Sequence, residues 1–193
     1  MPKIINKRFF ERRTLVVARD LLGKYLCRQV SGKIIRRVIT EVEAYDGFKD
    51  RASHAHRGET PRNKVMFGPA GYWYVYFTYG MHWMLNIVTG GTGYPAAILI
   101  RRCELVNSKS EIRNSKQIQI SKLNPKLDGP GKLTKFFKID GRFNGRPANK
   151  KTGLWIEKAE NRNKKLDIKS SPRIGVNYAG PIWSKKKYRF YIN

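Results

Sequence analysis

Residues 72–78 read Tyr-Trp-Tyr-Val-Tyr-Phe-Thr, and Tyr79 and Gly80 follow them. Every residue in the run is aromatic or β-branched. Such side chains lose χ1 freedom in a helix and fit a pleated, half-buried surface. The run is therefore a strand, and its period of two divides it. Tyr72, Tyr74 and Tyr76 take one side; Trp73, Val75 and Phe77 take the other, which is the natural core face. The tyrosine side offers flat apolar rings tipped with hydroxyls. It suits either an ordinary half-buried ladder or a wall for something flat, and a base stacked on an aromatic ring gains about 1–3 kcal/mol. Tyr79 stands where the alternation ends, beside a glycine, so a turn there lifts its ring out of the sheet as a wedge for a base stack.

The rest of the chain is organised around this strand. Residues 14–26 space their apolar side chains as a helix does, with Thr14 as the expected N-cap. The segment 24–45 reads as two strands joined at Ser31-Gly32. Residues 46–71 form a long irregular stretch with many glycines and prolines, and long ordered loops usually carry function. Further strands are expected at 81–88 and 96–101, around a glycine-rich turn at 89–93. A glycine loop at 128–131 opens a short helix, and the tail alternates at 152–158 and 186–193. Residues 106–126 are polar and weakly periodic, compatible with a surface helix or a mobile insert. No composition break divides the chain, so residues 1–193 read as one α+β domain with a mainly antiparallel sheet.

Charge narrows the function. Forty Lys and Arg against fourteen Asp and Glu give a net charge of +26. That field attracts a polyanion, nucleic acid first and an anionic membrane second; a lysine-rich proteome is the plain alternative. No apolar run is long enough to cross a bilayer. The basic start lacks the apolar core of a signal peptide, and Cys27 and Cys103 stand alone, as buried thiols do in a reducing compartment. The expected location is cytoplasmic, at the nucleoid if the chain is bacterial.

The acids cluster at Glu41, Glu43, Asp46, Asp50 and Glu59. Carboxylates repel phosphate, so the cluster marks chemistry or a face turned away from the ligand. Glu43 shares the phase of Glu41 and Tyr45. A carboxylate at the end of an apolar strand beside an aromatic is the kind of group that burial makes a general base. Arg101, which closes the apolar strand 96–101, is a candidate partner, either paired directly or sharing a water. His54 and His56 have the His-x-His spacing of metal ligands, but His82 is the only other histidine and no cysteine cluster accompanies them, so no metal is expected. The loop Asp128-Gly129-Pro130-Gly131-Lys132-Leu133 is not a Walker loop, because Leu133 stands where Ser or Thr would hold magnesium. Its backbone N–H groups and Lys132 suit a DNA phosphate. Nothing singles out a lysine for imine chemistry.

Seven segments, in order and spanning roughly 19–192, carry a specific likeness: RDLLGKYLCR, TEVEAYDG, SHAHRGETPRNKVMFGPAG, YVYFTYGMHWMLN, ILIRRCE, DGPGKL and RIGVNYAG…YRFYI. Together they resemble the alkyladenine (3-methyladenine) DNA glycosylase family. The resemblance implies a compact domain with a curved antiparallel sheet surrounded by helices, similar to the methionyl-tRNA formyltransferase C-terminal-domain-like fold. It implies a monomer that removes alkylated or deaminated purines from double-stranded DNA, without metal or cofactor, leaving an abasic site. Glu43 would activate a water that Arg101 helps to hold. Tyr45, His54 and Tyr76 would line the pocket, Asn86 would discriminate at its wall, and Tyr79 would fill the gap in the duplex. Arg57, Arg62, Gly129, Gly131 and Lys132 would contact the DNA backbone. Two other readings stay open: a non-catalytic nucleic-acid-binding module on the same fold, and a metal-dependent nuclease built on the 41–50 acids.

Overall fold

A computed structural model describes residues 3–105, 127–159 and 166–192; the polar stretch 106–126 lies outside them. Two short helices, α1 (Lys7–Phe10) and α2 (Thr14–Leu21), precede β1 (Tyr25–Val30) and the long β2 (Lys33–Asp46). Then come β3 (Trp73–Thr78), β4 (His82–Val88), β5 (Ala96–Glu104), α3 (Pro130–Phe136), β6 (Leu154–Glu157), β7 (Lys169–Ser171), α4 (Gly180–Ser184) and β8 (Arg189–Tyr191). All strand pairs are antiparallel, in the order β3-β4-β5-β2-β1-β6. β2 is central: its first half pairs with β1, while residues 41–43 pair with β8 on the same edge, and β7 extends β8. The α+β domain with a curled antiparallel sheet is as expected, but among the described residues the helices are few and short rather than a surrounding layer.

Every strand has two faces, and they have different fates. Val42, Ala44, Ile98, Ile100, Leu85, Ile87, Trp73 and Val75 share one face and form the main core with Val17, Ala18 and Leu21 of α2 and Leu133 of α3. The opposite face carries Glu43, Leu99, Asn86 and Tyr74 along one continuous rung. The 47–72 segment packs on that face, where its Ala55 and Met66 cluster with Tyr74, Val88 and Ala97, and the candidate site lies there.

Three local expectations need correction. α2 ends at Leu21, not at 26, because Gly23 takes φ +80° and the chain turns into β1. Thr14 is inside that helix, not its N-cap; its hydroxyl is buried and accepts from the Thr89 hydroxyl at 3.3 Å. Phe77 is not core. It lies beyond the edge of the packed face, is 44 % exposed, and has its ring 4.8 Å from that of Trp83. Both cysteines are buried free thiols, as expected. Among the described residues no helix is long and apolar enough to cross a membrane.

Candidate active site

A cavity of about 520 Å³ opens on the rung-bearing face. Sheet register builds its floor: Tyr45, Leu99, Asn86, Met84, Tyr74 and Tyr76 all project into it from four neighbouring strands. Adjacent strands lie about 4.8 Å apart, so residues far apart in sequence become neighbours on one surface.

Glu43 is fully buried just behind this floor. Its Oε1 accepts from the Ile174 backbone N–H at 2.8 Å. Its Oε2 accepts from the Tyr45 hydroxyl at 2.9 Å and from Arg101 Nη1 at 3.3 Å. All three donors belong to residues that line the cavity. Burial, and then the neighbouring Glu43 charge, push the Tyr45 phenol well above its usual range, so it remains a donor. Arg101 meets the carboxylate directly, which is the paired form of the two arrangements expected.

The aromatic wall is a packed unit. The Tyr76 ring lies 5.1 Å from that of Tyr74 and 4.6 Å from that of His54. Burial lifts the Tyr76 phenol to about 12. His54 Nδ1 is 3.0 Å from the Tyr74 hydroxyl. Asn86 is 3 % exposed, and its Nδ2 donates to the Tyr74 carbonyl at 3.1 Å, which fixes the amide at the cavity wall.

A sequence model of the methylpurine-DNA glycosylase family matches residues 8–193. The chain belongs to the methylpurine-DNA glycosylase family. Similar proteins carry the name "Putative 3-methyladenine DNA glycosylase". One, from Methanocella arvoryzae, is 43 % identical over 99 % of this chain and 92 % of its own length. Another, from Psychrobacter cryohalolentis, is 41 % identical over 93 % of this chain and 88 % of its own. A third, from Carboxydothermus hydrogenoformans, is 41 % identical over 98 % and 95 %.

Within this family member, Tyr45, His54, Tyr76, Tyr79, Asn86 and Arg101 meet around one cavity. Tyr79 is 79 % exposed at the tip of the β3–β4 hairpin. It takes φ +52° and Gly80 takes φ +66°, and the turn is closed by the Met81 N–H on the Thr78 carbonyl at 3.1 Å. Positive φ at both central residues suits the twist of a hairpin, but it strains any residue with a Cβ. Replacing Tyr79 with Gly is expected to raise stability by about 1 kcal/mol, since little packing is lost and the strain is relieved. A thermal unfolding midpoint below that of the parent chain would refute this.

The backbone-contact candidates divide. Arg57 is exposed. Arg62 lies over the Tyr76 ring at 5.2 Å and donates to the Phe77 carbonyl at 3.2 Å, so it is a cavity wall residue in this structure. Lys132 is paired to Asp128 at 2.8 Å. Gly129 is the N-cap residue of α3, and a Cβ on Gly131 would come within 2.9 Å of the His82 ring. His82, which sequence reasoning left without a role, thus packs on the first turn of α3.

Sequence reasoning missed a second wall. Ile174, Val176 and Tyr178 close the cavity from the 172–179 loop, with the Tyr178 hydroxyl donating to the Ala52 carbonyl at 2.9 Å. Asp50 and Arg173 fasten this loop to the 46–71 segment; both are buried, and both guanidinium arms reach the carboxylate. Within the 46–71 segment, buried Asn63 ties the His54 and Gly58 carbonyls at 2.9 and 3.0 Å and the Thr60 N–H at 2.7 Å. Three of the five clustered acids are thereby accounted for. Asp50 and Glu41 are locked by arginines, and Glu43 alone stands directly behind the cavity.

The cavity walls, and then the Arg62 guanidinium, lower the His54 pKa, so the ring is neutral at pH 7. Charging it costs more in the folded than in the unfolded chain. Stability present above about pH 6.5 is therefore lost as pH falls below that value. The unfolding midpoint is expected to fall from pH 7.5 to 5 more steeply in the parent chain than in His54→Asn. Parallel falls would show that His54 contributes nothing.

Proposed function

We propose that the protein is a monofunctional DNA glycosylase that extrudes alkylated or deaminated purines from duplex DNA and hydrolyses their N-glycosidic bond. The observation that carries this reading is buried Glu43, held just behind an aromatic cavity by Tyr45 and Arg101, which line it. A base inside a duplex is out of reach, and flipping it out costs a few kcal/mol, least for damaged or mispaired bases. Tyr79, on its exposed turn, fills the vacated space. The flipped purine stacks against Tyr45, Tyr76 and His54, and a cationic alkylpurine gains further from the electron-rich rings.

Glu43 supplies the base. Its longest bond is the one from Arg101, and a water entering there leaves the carboxylate held by the Tyr45 hydroxyl and the Ile174 N–H. As the base leaves with the glycosidic electron pair, positive charge grows on the sugar. The carboxylate stabilises that charge and takes the proton of the attacking water. Asn86, anchored by its amide nitrogen, discriminates at the wall against the exocyclic amino group of normal guanine. No lysine lines the described cavity, so the product is an abasic site in an uncut strand. Arg57, Lys132 and the Gly129–Gly131 backbone contact phosphates, and the protein acts as a monomer.

A panel of single-lesion duplexes, scored for free base with EDTA present, tests the proposal. Release of 3-methyladenine, 7-methylguanine, hypoxanthine or ethenoadenine supports it. One observation favours the alternative of a damage-binding module without catalysis: Glu43 has no exposed surface and its oxygens are engaged. Tight damage-specific binding with no base released from any lesion would establish that alternative.

A further inference from the structure

The β2–β5 ladder is regular except around Glu41. Ile39 pairs with Cys103, Glu41 with Arg102, and Val42 with Ile100, so Thr40 and Arg101 are passed over in the pairing. Such irregularities re-aim side chains. Here the result is that the Arg101 guanidinium is divided between two carboxylates. Its Nε donates to Glu41 Oε1 at 3.1 Å and its Nη1 to Glu43 Oε2 at 3.3 Å. Glu41 is 4 % exposed, and it also faces Arg102 Nη2 at 3.1 Å and Arg189 Nε at 3.2 Å. Neutralising one buried carboxylate does not require three arginines.

We propose that Glu41 is a positioning residue for the base-release reaction: it holds the Nε arm of Arg101, so that the arginine gives Glu43 a single N–H instead of its whole fork. This rests on the glycosylase reading above. The physical reason is geometric. An arginine left with one carboxylate turns both arms onto it, because the two parallel bonds are stronger than one. Without the Glu41 charge, Arg101 closes on Glu43 and occupies the oxygen that must receive the water's proton. Arg102 and Arg189 hold the Glu41 carboxylate in place, so the grip on Nε does not depend on Arg101 alone.

The test is a double-mutant cycle read in single turnover on a lesion that the parent chain releases. Glu41→Gln is expected to slow release about tenfold, within the range of coupling for residues sharing one ion-pair network, while binding of the same duplex is unchanged. Made in an Arg101→Gln background, Glu41→Gln should add nothing, since the arm it holds is gone. Equal slowing in both backgrounds, or full activity of Glu41→Gln, overturns the proposal. If Glu41→Gln does not fold, Glu41→Asp keeps the charge at a shorter reach, and the same cycle applies to it. A second readout needs no activity: the Arg101 Nε–H resonance, assigned by its loss in Arg101→Lys, should move in the Glu41 variant, because Nε donates to Glu41 Oε1 at 3.1 Å in the parent chain and loses that acceptor. A resonance at the same position in both chains overturns the positioning role. Failure of the parent chain to release any base instead overturns the glycosylase reading, and the resonance then still decides what Glu41 does to Arg101.

Discussion

Glu43→Gln is expected to lower single-turnover base release by about 10²–10⁴-fold, the range a positioned general base supplies, while binding of lesion-containing duplex stays close to that of the parent chain. The amide has nearly the same shape and can still accept from the Ile174 N–H, which lies 2.8 Å from Oε1 in the parent chain. On the other branch, an amide N–H₂ would face Arg101 Nη1 donor to donor, at a site where the carboxylate sits 3.3 Å away. The buried mismatch adds a stability loss of about 1–3 kcal/mol, so unfolding must be measured beside the rate. Full activity in a folded Glu43→Gln variant would sink the mechanism. Lost activity together with lost binding would point to a damaged pocket instead of a missing base.

Asp50→Asn should be the most destabilising change near the cavity. The Arg173 side chain is wholly buried and reaches both Asp50 oxygens. It also donates to the Ala44 carbonyl at 2.8 Å and lies over the Tyr45 and Tyr188 rings at 4.8 and 5.3 Å. Asp50 in turn receives the Asp46 and Ala52 N–H groups, each at 3.1 Å. Removing one charge leaves the other buried and unpaired, at a cost of about 3–5 kcal/mol. At about 2–4 °C per kcal/mol for a chain of this size, the unfolding midpoint drops by about 10 °C. The double change Asp50→Asn with Arg173→Met should cost less than the single one, because no orphan charge remains. Base release should fall as well, since Ile174, next to Arg173, carries the N–H that holds Glu43. A midpoint that moves by less than about 1 °C would show that the pair is not an anchor.

Much of the site was legible in the sequence because period-2 patterning and a turn glycine are local signals. The tyrosine side of β3 faces the cavity, and Glu43 and Tyr45 share that face from β2, as their spacing requires. The Tyr79-Gly80 turn lifts its ring into solvent. The errors have equally local causes. Periodicity alone ran α2 past Gly23, and it assigned Phe77 to the core because it records which face a residue takes but not where the packed area ends.

The sequence by itself determined which residues are candidates for the chemistry, which faces they take, and the family that their order and spacing identify. The tertiary structure alone decided how they are held. The rung from Glu43 through Leu99 and Asn86 to Tyr74 exists only once β2, β5, β4 and β3 are in register. The second wall of the cavity, the Asp50–Arg173 anchor and the divided grip on Arg101 join residues at least 58 positions apart in the chain. Charge and hydrogen bonding act through space over a few ångströms, and spacing along a chain records such proximity only within a single element.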